Sequence, residues 1–185
     1  MTVVAAARPT LLTAEEAEER TNADHWELVR GEVLELTPPG GEHGVFTHSL
    51  SLAIGSHVRS HRLGRVTAAE TGFILSRNPD TLRAPDIAFI SAERVPQPLP
   101  KGWFSTVPDL VVEMVSPSDR AGEMQERVAD WLGAGVRLLW LVYPRPRQVH
   151  VYRSLEDVHI LKEADVLEGE DVLPGFSLPV AEIFA

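Results

Sequence analysis

The sequence predicts an α/β (α+β) domain, a mixed β-sheet flanked by helices, and three observations carry that prediction. Apolar residues switch between helical and alternating spacing in the order helix, sheet, helix, strands. The run Leu110 to Val115 has the length and β-branched content of a central strand. The 185 residues, without repeats or an internal linker, amount to a single domain.

Residues 1–12, with Ala5-Ala6-Ala7 and Pro9, read as a flexible tail, leaving 13–185 as the domain. Thr13 caps a short helix whose first turn carries Glu15 and Glu16, where the helix dipole favours negative charge. Trp26 to Leu36 alternates and turns at Gly31, predicting a hairpin or bulged strand pair. Pro38-Pro39-Gly40-Gly41 ends it, and a long helix follows from about His43 to His61. Phe46, Leu50, Ala53, Ile54 and Val58 form the apolar stripe of that helix.

Arg65–Leu75 and Leu82–Ile90 read as two strands joined by Arg77-Asn78-Pro79-Asp80, with a proline-rich loop over 91–108. Ser116-Pro117-Ser118-Asp119 stops the central strand and caps a helix running to about Leu132. Met124, Val128, Trp131 and Leu132 are its buried stripe, and Gly133 and Gly135 end it. Leu138–Tyr143 and Gln148–Arg153 are two further strands, followed by short strands and turns.

Composition narrows the function. Without Cys there are no disulfides, zinc fingers, iron–sulfur clusters or thiol nucleophiles. The longest apolar run, Leu138 to Tyr143, is six residues, far short of a membrane span. No basic-then-apolar leader is visible, so a soluble cytoplasmic protein with no membrane partner is expected. The net charge of −10 disfavours non-specific DNA binding over the whole surface. That charge is uneven. From His43 to Ala69 there is no acid, while Arg59, Arg62 and Arg65 stand there with four His, so one face suits a polyanion.

Two carboxylates interrupt apolar strands: Asp86 after Pro85, and Glu113 within Leu110–Val115. A carboxylate there is costly to desolvate unless charge or hydrogen bonds compensate. Each alone has an ordinary explanation, a turn residue for Asp86 and an arginine partner for Glu113. Their joint presence on consecutive strands suits an oxygen-only site for Mg²⁺ or Mn²⁺.

Pro85-Asp86 followed by Glu113-Met114-Val115 resembles the PD-(D/E)XK nuclease signature. More narrowly, the chain resembles the Uma2 family, also called DUF820, of restriction-endonuclease-like proteins. The residues that carry this are Trp26-Glu27-Leu28-Val29-Arg30-Gly31-Glu32-Val33, His43, Pro85-Asp86-Ile87-Ala88-Phe89 and Val112-Glu113-Met114-Val115-Ser116-Pro117-Ser118-Asp119. Ala134-Gly135-Val136, Leu139-Trp140-Leu141-Val142, Leu173-Pro174-Gly175-Phe176 and Ile183-Phe184 continue it, from about residue 12 to 184.

The resemblance implies a restriction-endonuclease-like fold and a Mg²⁺- or Mn²⁺-dependent endonuclease acting on nucleic acid, DNA in the first instance. Asp86 and Glu113 would hold the cation, the backbone carbonyl of Val115 would complete its shell, and a lysine would act on water or phosphate. The signature's lysine position is Val115. In the Uma2 pattern that lysine moves to the following helix, four residues before an aromatic; Trp131 is the aromatic here, so the matching residue is Arg127. Arginine stays protonated and is no base, but it clamps phosphate. Arg127 flanks the helix's buried stripe, so it is expected to reach Glu113, and its removal is expected to cost little stability. Its local alternative partner is Glu123, one turn earlier.

Glu27, His43 and Glu70 are accessory candidates. The ordinary readings are a hairpin-surface glutamate, a helix cap and a cross-strand partner, respectively. Arg59, Arg62 and Arg65 are candidate nucleic-acid contacts, and a homodimer is expected from how often soluble chains form one. His57 and His61, four residues apart, read as helix-face residues. The rival reading, from another class, is a catalytically weak or inactive nuclease fold that serves as a binding module.

Overall fold

Capping and turn chemistry set the first elements. The computed structural model describes residues 11–22 and 25–185. The expected tail lies outside the described residues up to residue 10; Leu12 donates its N–H to the Gly31 carbonyl at 2.8 Å. Helix α1 (Ala14–Arg20) opens on a capping box between Thr13 and Glu16. Strands β1 (Trp26–Val29) and β2 (Glu32–Glu35) pair antiparallel around Arg30-Gly31, both at positive φ (50° and 82°). A tight hairpin turn requires that conformation. Helix α2 (Gly41–His61) turns Leu50, Ile54 and Val58 inward.

Each of the two long strands expected next is cut in two. Strand β3 (Gly64–Thr67) is separated from β4 (Phe73–Ser76) by a turn containing Glu70 at φ 69°. Strand β5 (Thr81–Arg83) is separated from β6 (Ile87–Ser91) by Ala84-Pro85-Asp86. Pro85 has no N–H to give a ladder and biases the residue before it, so the run breaks there. The halves go to different sheets. One has the order β2-β1-β5-β4, and the other contains β3 and β6.

The rest of the chain supplies β7 (Leu110–Met114), α3 (Ala121–Ala134), β8 (Leu138–Tyr143), β9 (Gln148–Tyr152) and β10 (Val158–Lys162). It ends in the ribbon β11 (Val166–Glu168) and β12 (Ser177–Pro179) and the short α4 (Val180–Ile183). The larger sheet runs β10-β9-β8-β7-β6-β3, antiparallel except for β7–β8, which α3 connects. This is a mixed sheet with helices on both faces. Asp119 does not cap α3. It accepts from the Ser116 N–H at 2.7 Å and closes the turn, and Arg120 is the N-cap. Gly135, at φ 102°, ends the helix. No helix among the described residues is long and apolar enough to cross a membrane.

All five residues of β7 are buried, and their alternation sorts two cores. Leu110, Val112 and Met114 pack with Leu50, Ile54 and Val58 of α2. Val111 packs with Met124, Val128 and Trp131 of α3, so Glu113 shares the α3 face.

Gly64 lies where β3 meets β6: a Cβ there would sit 2.0 Å from the Ile90 carbonyl oxygen, at φ 156°. Gly64→Ala is expected to lose about 1–3 kcal/mol from the backbone conformation alone. Gly55→Ala, whose Cβ meets open space on α2, should be neutral or stabilising. Urea denaturation of the two variants checks the contrast.

Candidate active site

The β6–β7 register positions the two carboxylates. Ile87 pairs with Val112, so the next pair outward is Asp86 beside Glu113. Glu113 is 5% exposed; its Oε1 accepts from Trp131 Nε1 at 2.8 Å and Arg127 Nη1 at 3.1 Å. Trp131 is thus both a core residue and a donor to the site. Arg127 also grips Glu27 through two parallel bonds, Nη1 to Oε1 at 2.9 Å and Nη2 to Oε2 at 2.7 Å. Glu123 pairs instead with Arg120.

Glu27 is not a surface residue: it is fully buried, because the face of β1 that carries it lies under α3's polar flank. It accepts in addition from Arg83 Nη1 at 2.8 Å and the Ala84 N–H at 2.9 Å. Arg83 continues the chain of charge to Asp130 on α3, at 2.5 Å. The result is a buried network from β1 through β5 and α3 to β7.

That burial corrects the expectation that Arg127 could be lost cheaply. Its side chain is only 15% exposed and neutralises two buried carboxylates. Without it Glu27 keeps Arg83 but Glu113 loses its only cationic partner among the described residues, and breaking such a buried pair costs about 3–5 kcal/mol.

Asp86 Oδ2 accepts from the Met114 N–H at 2.7 Å and lies 3.3 Å from His43 Nε2. The Asp86 hydrogen bond raises the His43 pKa above the ordinary imidazole value, against burial. Burial pushes the Glu113 pKa up to about 7; Arg127 opposes the shift, while the nearby charges of Asp86 and Glu27 add to it. Arg127 therefore does not fully offset the cost of ionising Glu113 in this buried position.

Asp86, Glu113, Arg127, His43 and Met114 line one cavity of about 580 Å³, whose wall also includes Trp26 and Trp103. Of the other expected residues, Val115 does not line it. Val115 donates to the Val142 carbonyl and packs against the α3 core, and the backbone at the cleft is that of Met114. Glu70 lies in a turn rather than a strand; it reaches the cavity wall but its exposed carboxylate bonds His25 at 3.1 Å. Arg59, Arg62 and Arg65 line a separate groove. His57 and His61 contact backbone carbonyls of Pro174 and His57.

Among the described residues no group of three or more His, Cys, Asp or Glu is arranged to hold a metal ion. The donor set at the cleft is two carboxylates. Glu113 Oε2 and Asp86 Oδ1 have no hydrogen-bond partner among the described residues. Two carboxylates with an oxygen each to give, beside a raised carboxyl pKa, fit Mg²⁺ or Mn²⁺. Such ions keep several waters and take one or two protein carboxylates.

The raised Glu113 pKa has a definite consequence for stability in the absence of metal. The folded value, about 7, lies above the ordinary 4.5, so the folded state holds the extra proton between them. Stability from this group is complete below about 4.5 and is lost as pH rises through about 7, a change of about 3 kcal/mol. His43 gives the same sign, so the difference between variants isolates Glu113. Urea midpoints measured in EDTA should fall less steeply over this range in Glu113→Gln than in wild type, and an identical pH dependence would contradict the assignment.

Three comparisons with known proteins bear on the family and the fold. The Uma2 family, described as "putative restriction endonuclease", matches residues 12–181. A solved structure described as a "putative nuclease belonging to DUF820" from Anabaena variabilis superposes with a TM-score of 0.83. It is 20% identical, covering 94% of this chain and 97% of its own, and so supports the fold alone. No curated protein matches the chain. With the family matched over nearly its whole length, this chain is a member of Uma2, the restriction-endonuclease-like family.

Proposed function

We propose that this protein is a Mg²⁺- or Mn²⁺-dependent endonuclease that hydrolyses phosphodiester bonds of DNA. The observation that carries this reading is the convergence of Asp86, Glu113 and Arg127 on one cavity, with a Glu113 carboxyl whose pKa is raised by burial and, to a lesser degree, by Asp86 and Glu27. Asp86 and Glu113 would hold the cation, and the chemistry supplied there would be Lewis-acid polarisation of a phosphoryl oxygen and acidification of water.

The chain's own groups complete the site. Arg127 keeps its Nε–H and one Nη2–H beyond those spent on Glu27 and Glu113, and these would be free to clamp phosphate charge. It remains protonated: Glu113 and Glu27 hold its pKa above the ordinary arginine value despite burial, so it is never a base. Trp131 and the Met114 N–H fix one oxygen of each carboxylate, so the second oxygen of each is aimed rather than free to rotate. Water cleaves the P–O bond, leaving a phosphomonoester and an alcohol.

One observation favours the rival reading, a binding module without strong catalysis. The residue in the lysine position is an arginine already engaged by two carboxylates. Cleavage of supercoiled plasmid and of RNA with Mn²⁺ decides between them. Wild type should nick DNA, and Asp86→Asn and Glu113→Gln should lose at least 100-fold of that rate while remaining folded. Arg127→Lys should retain cleavage while melting earlier, because an ammonium cannot reproduce the two parallel bonds to Glu27. A folded wild type that cleaves neither substrate with Mn²⁺ or Mg²⁺ would establish the binding-module reading instead.

A further inference from the structure

Among the described residues ten of fourteen arginines lie within 4.0 Å of a carboxylate. The four that do not are Arg59, Arg62, Arg65 and Arg145, and three of these line one groove of about 530 Å³. In a chain of net charge −10, leaving three guanidiniums unpaired side by side runs against the rest of the surface. The helix dipole accounts for part of it, since Arg59 stands in the last turn of α2. It does not account for Arg65, which projects from β3.

Two backbone features hold the three together. Arg62 is the C-cap of α2 at φ 56°, a left-handed position that helices usually give to glycine. Gly64 lets β3 approach the Ile90 carbonyl, which brings Arg65 alongside. Gln97 adds a polar side chain to the groove, and Gly55 leaves room on its helical wall. Glu93, on the turn that forms the opposite wall, does not line the groove, and Asp109 nearby is held by Arg94 at 2.5 Å.

We propose that this groove is a second phosphate site, binding the nucleic-acid backbone away from the bond being cut. The proposal rests on the nuclease reading for its choice of ligand. Sixteen residues of α2 separate His43 at the cleft from Arg59 at the groove, roughly 24 Å at 1.5 Å per residue. At about 3.4 Å per nucleotide along a strand, that is roughly seven base pairs. A duplex must therefore extend well past the cleft to engage both.

Fluorescence anisotropy in EDTA, where no cleavage can occur, tests the groove separately from the chemistry. Wild type should bind a 24-base-pair duplex more tightly than an 8-base-pair one. The triple variant Arg59→Ala/Arg62→Gly/Arg65→Ala, with glycine suited to the left-handed cap, should lose at least tenfold affinity for the long duplex. Its log Kd against log salt slope should fall by about 2.7, or 0.9 per phosphate contact. Arg145→Ala should lose far less. Equal affinity and slope in wild type and triple variant would overturn the proposal, as would an equal loss in Arg145→Ala. Displacement of the duplex by inorganic phosphate at matched phosphate concentration would assign the groove to free phosphate instead. Cleavage that fails with Mn²⁺ while binding in EDTA persists would remove the nuclease reading and leave the groove standing.

Discussion

The buried guanidinium of Arg127, held between Glu27 and Glu113, is the interaction on which the cleft depends. It joins three elements far apart in sequence: the first hairpin, helix α3 and the central strand. A charge in that position is tolerated only because planar, bidentate geometry offsets its desolvation. The carboxylates outnumber the cation that serves them. Burial first, and then the charges of Asp86 and Glu27 against that of Arg127, keep the Glu113 proton to about 7. Ionising the site therefore costs free energy, which a divalent cation bound there would offset.

Asp86 owes its place to a different constraint. Two continuous strands would bury it inside a ladder. Instead the chain leaves the four-stranded sheet at Arg83, breaks at Pro85 and enters the six-stranded sheet at Ile87. The carboxylate thus stands where the sheets part, next to Glu113 in register and open to the cavity. His43, three residues into α2, reaches it from the other side. The candidate site is therefore assembled at a seam between two sheets, from a hairpin, a strand break and a helix start.

Much of this is legible in the sequence because burial writes a contrast into it. Asp86 and Glu113 stand out against apolar neighbours, and the stripe of Met124, Val128 and Trp131 orients α3 so that Arg127 must border the sheet. Glu27 carries no such mark. Alternation in Trp26–Val29 says which side of the strand it takes, but not that this side is covered by α3's charged flank. Pro85 marks one strand break locally, but that the halves of each run join different sheets is a long-range property no local pattern shows. The family resemblance points to the Val115 carbonyl, yet Met114 lines the cleft and its N–H holds Asp86. Arg83 and Asp130 take their meaning only from Glu27, and no local pattern reveals a partner 56 residues away.

If the paired carboxylates of Glu113 and Asp86 form a divalent-cation site, Mn²⁺ binds the folded protein through both of them. Calorimetric titration of Mn²⁺ into the folded protein at pH 8, above the Glu113 pKa, measures this directly. The account predicts one saturable site in wild type that disappears in Asp86→Asn and in Glu113→Gln. Binding of equal strength in wild type and both variants, or no binding in wild type, would contradict it.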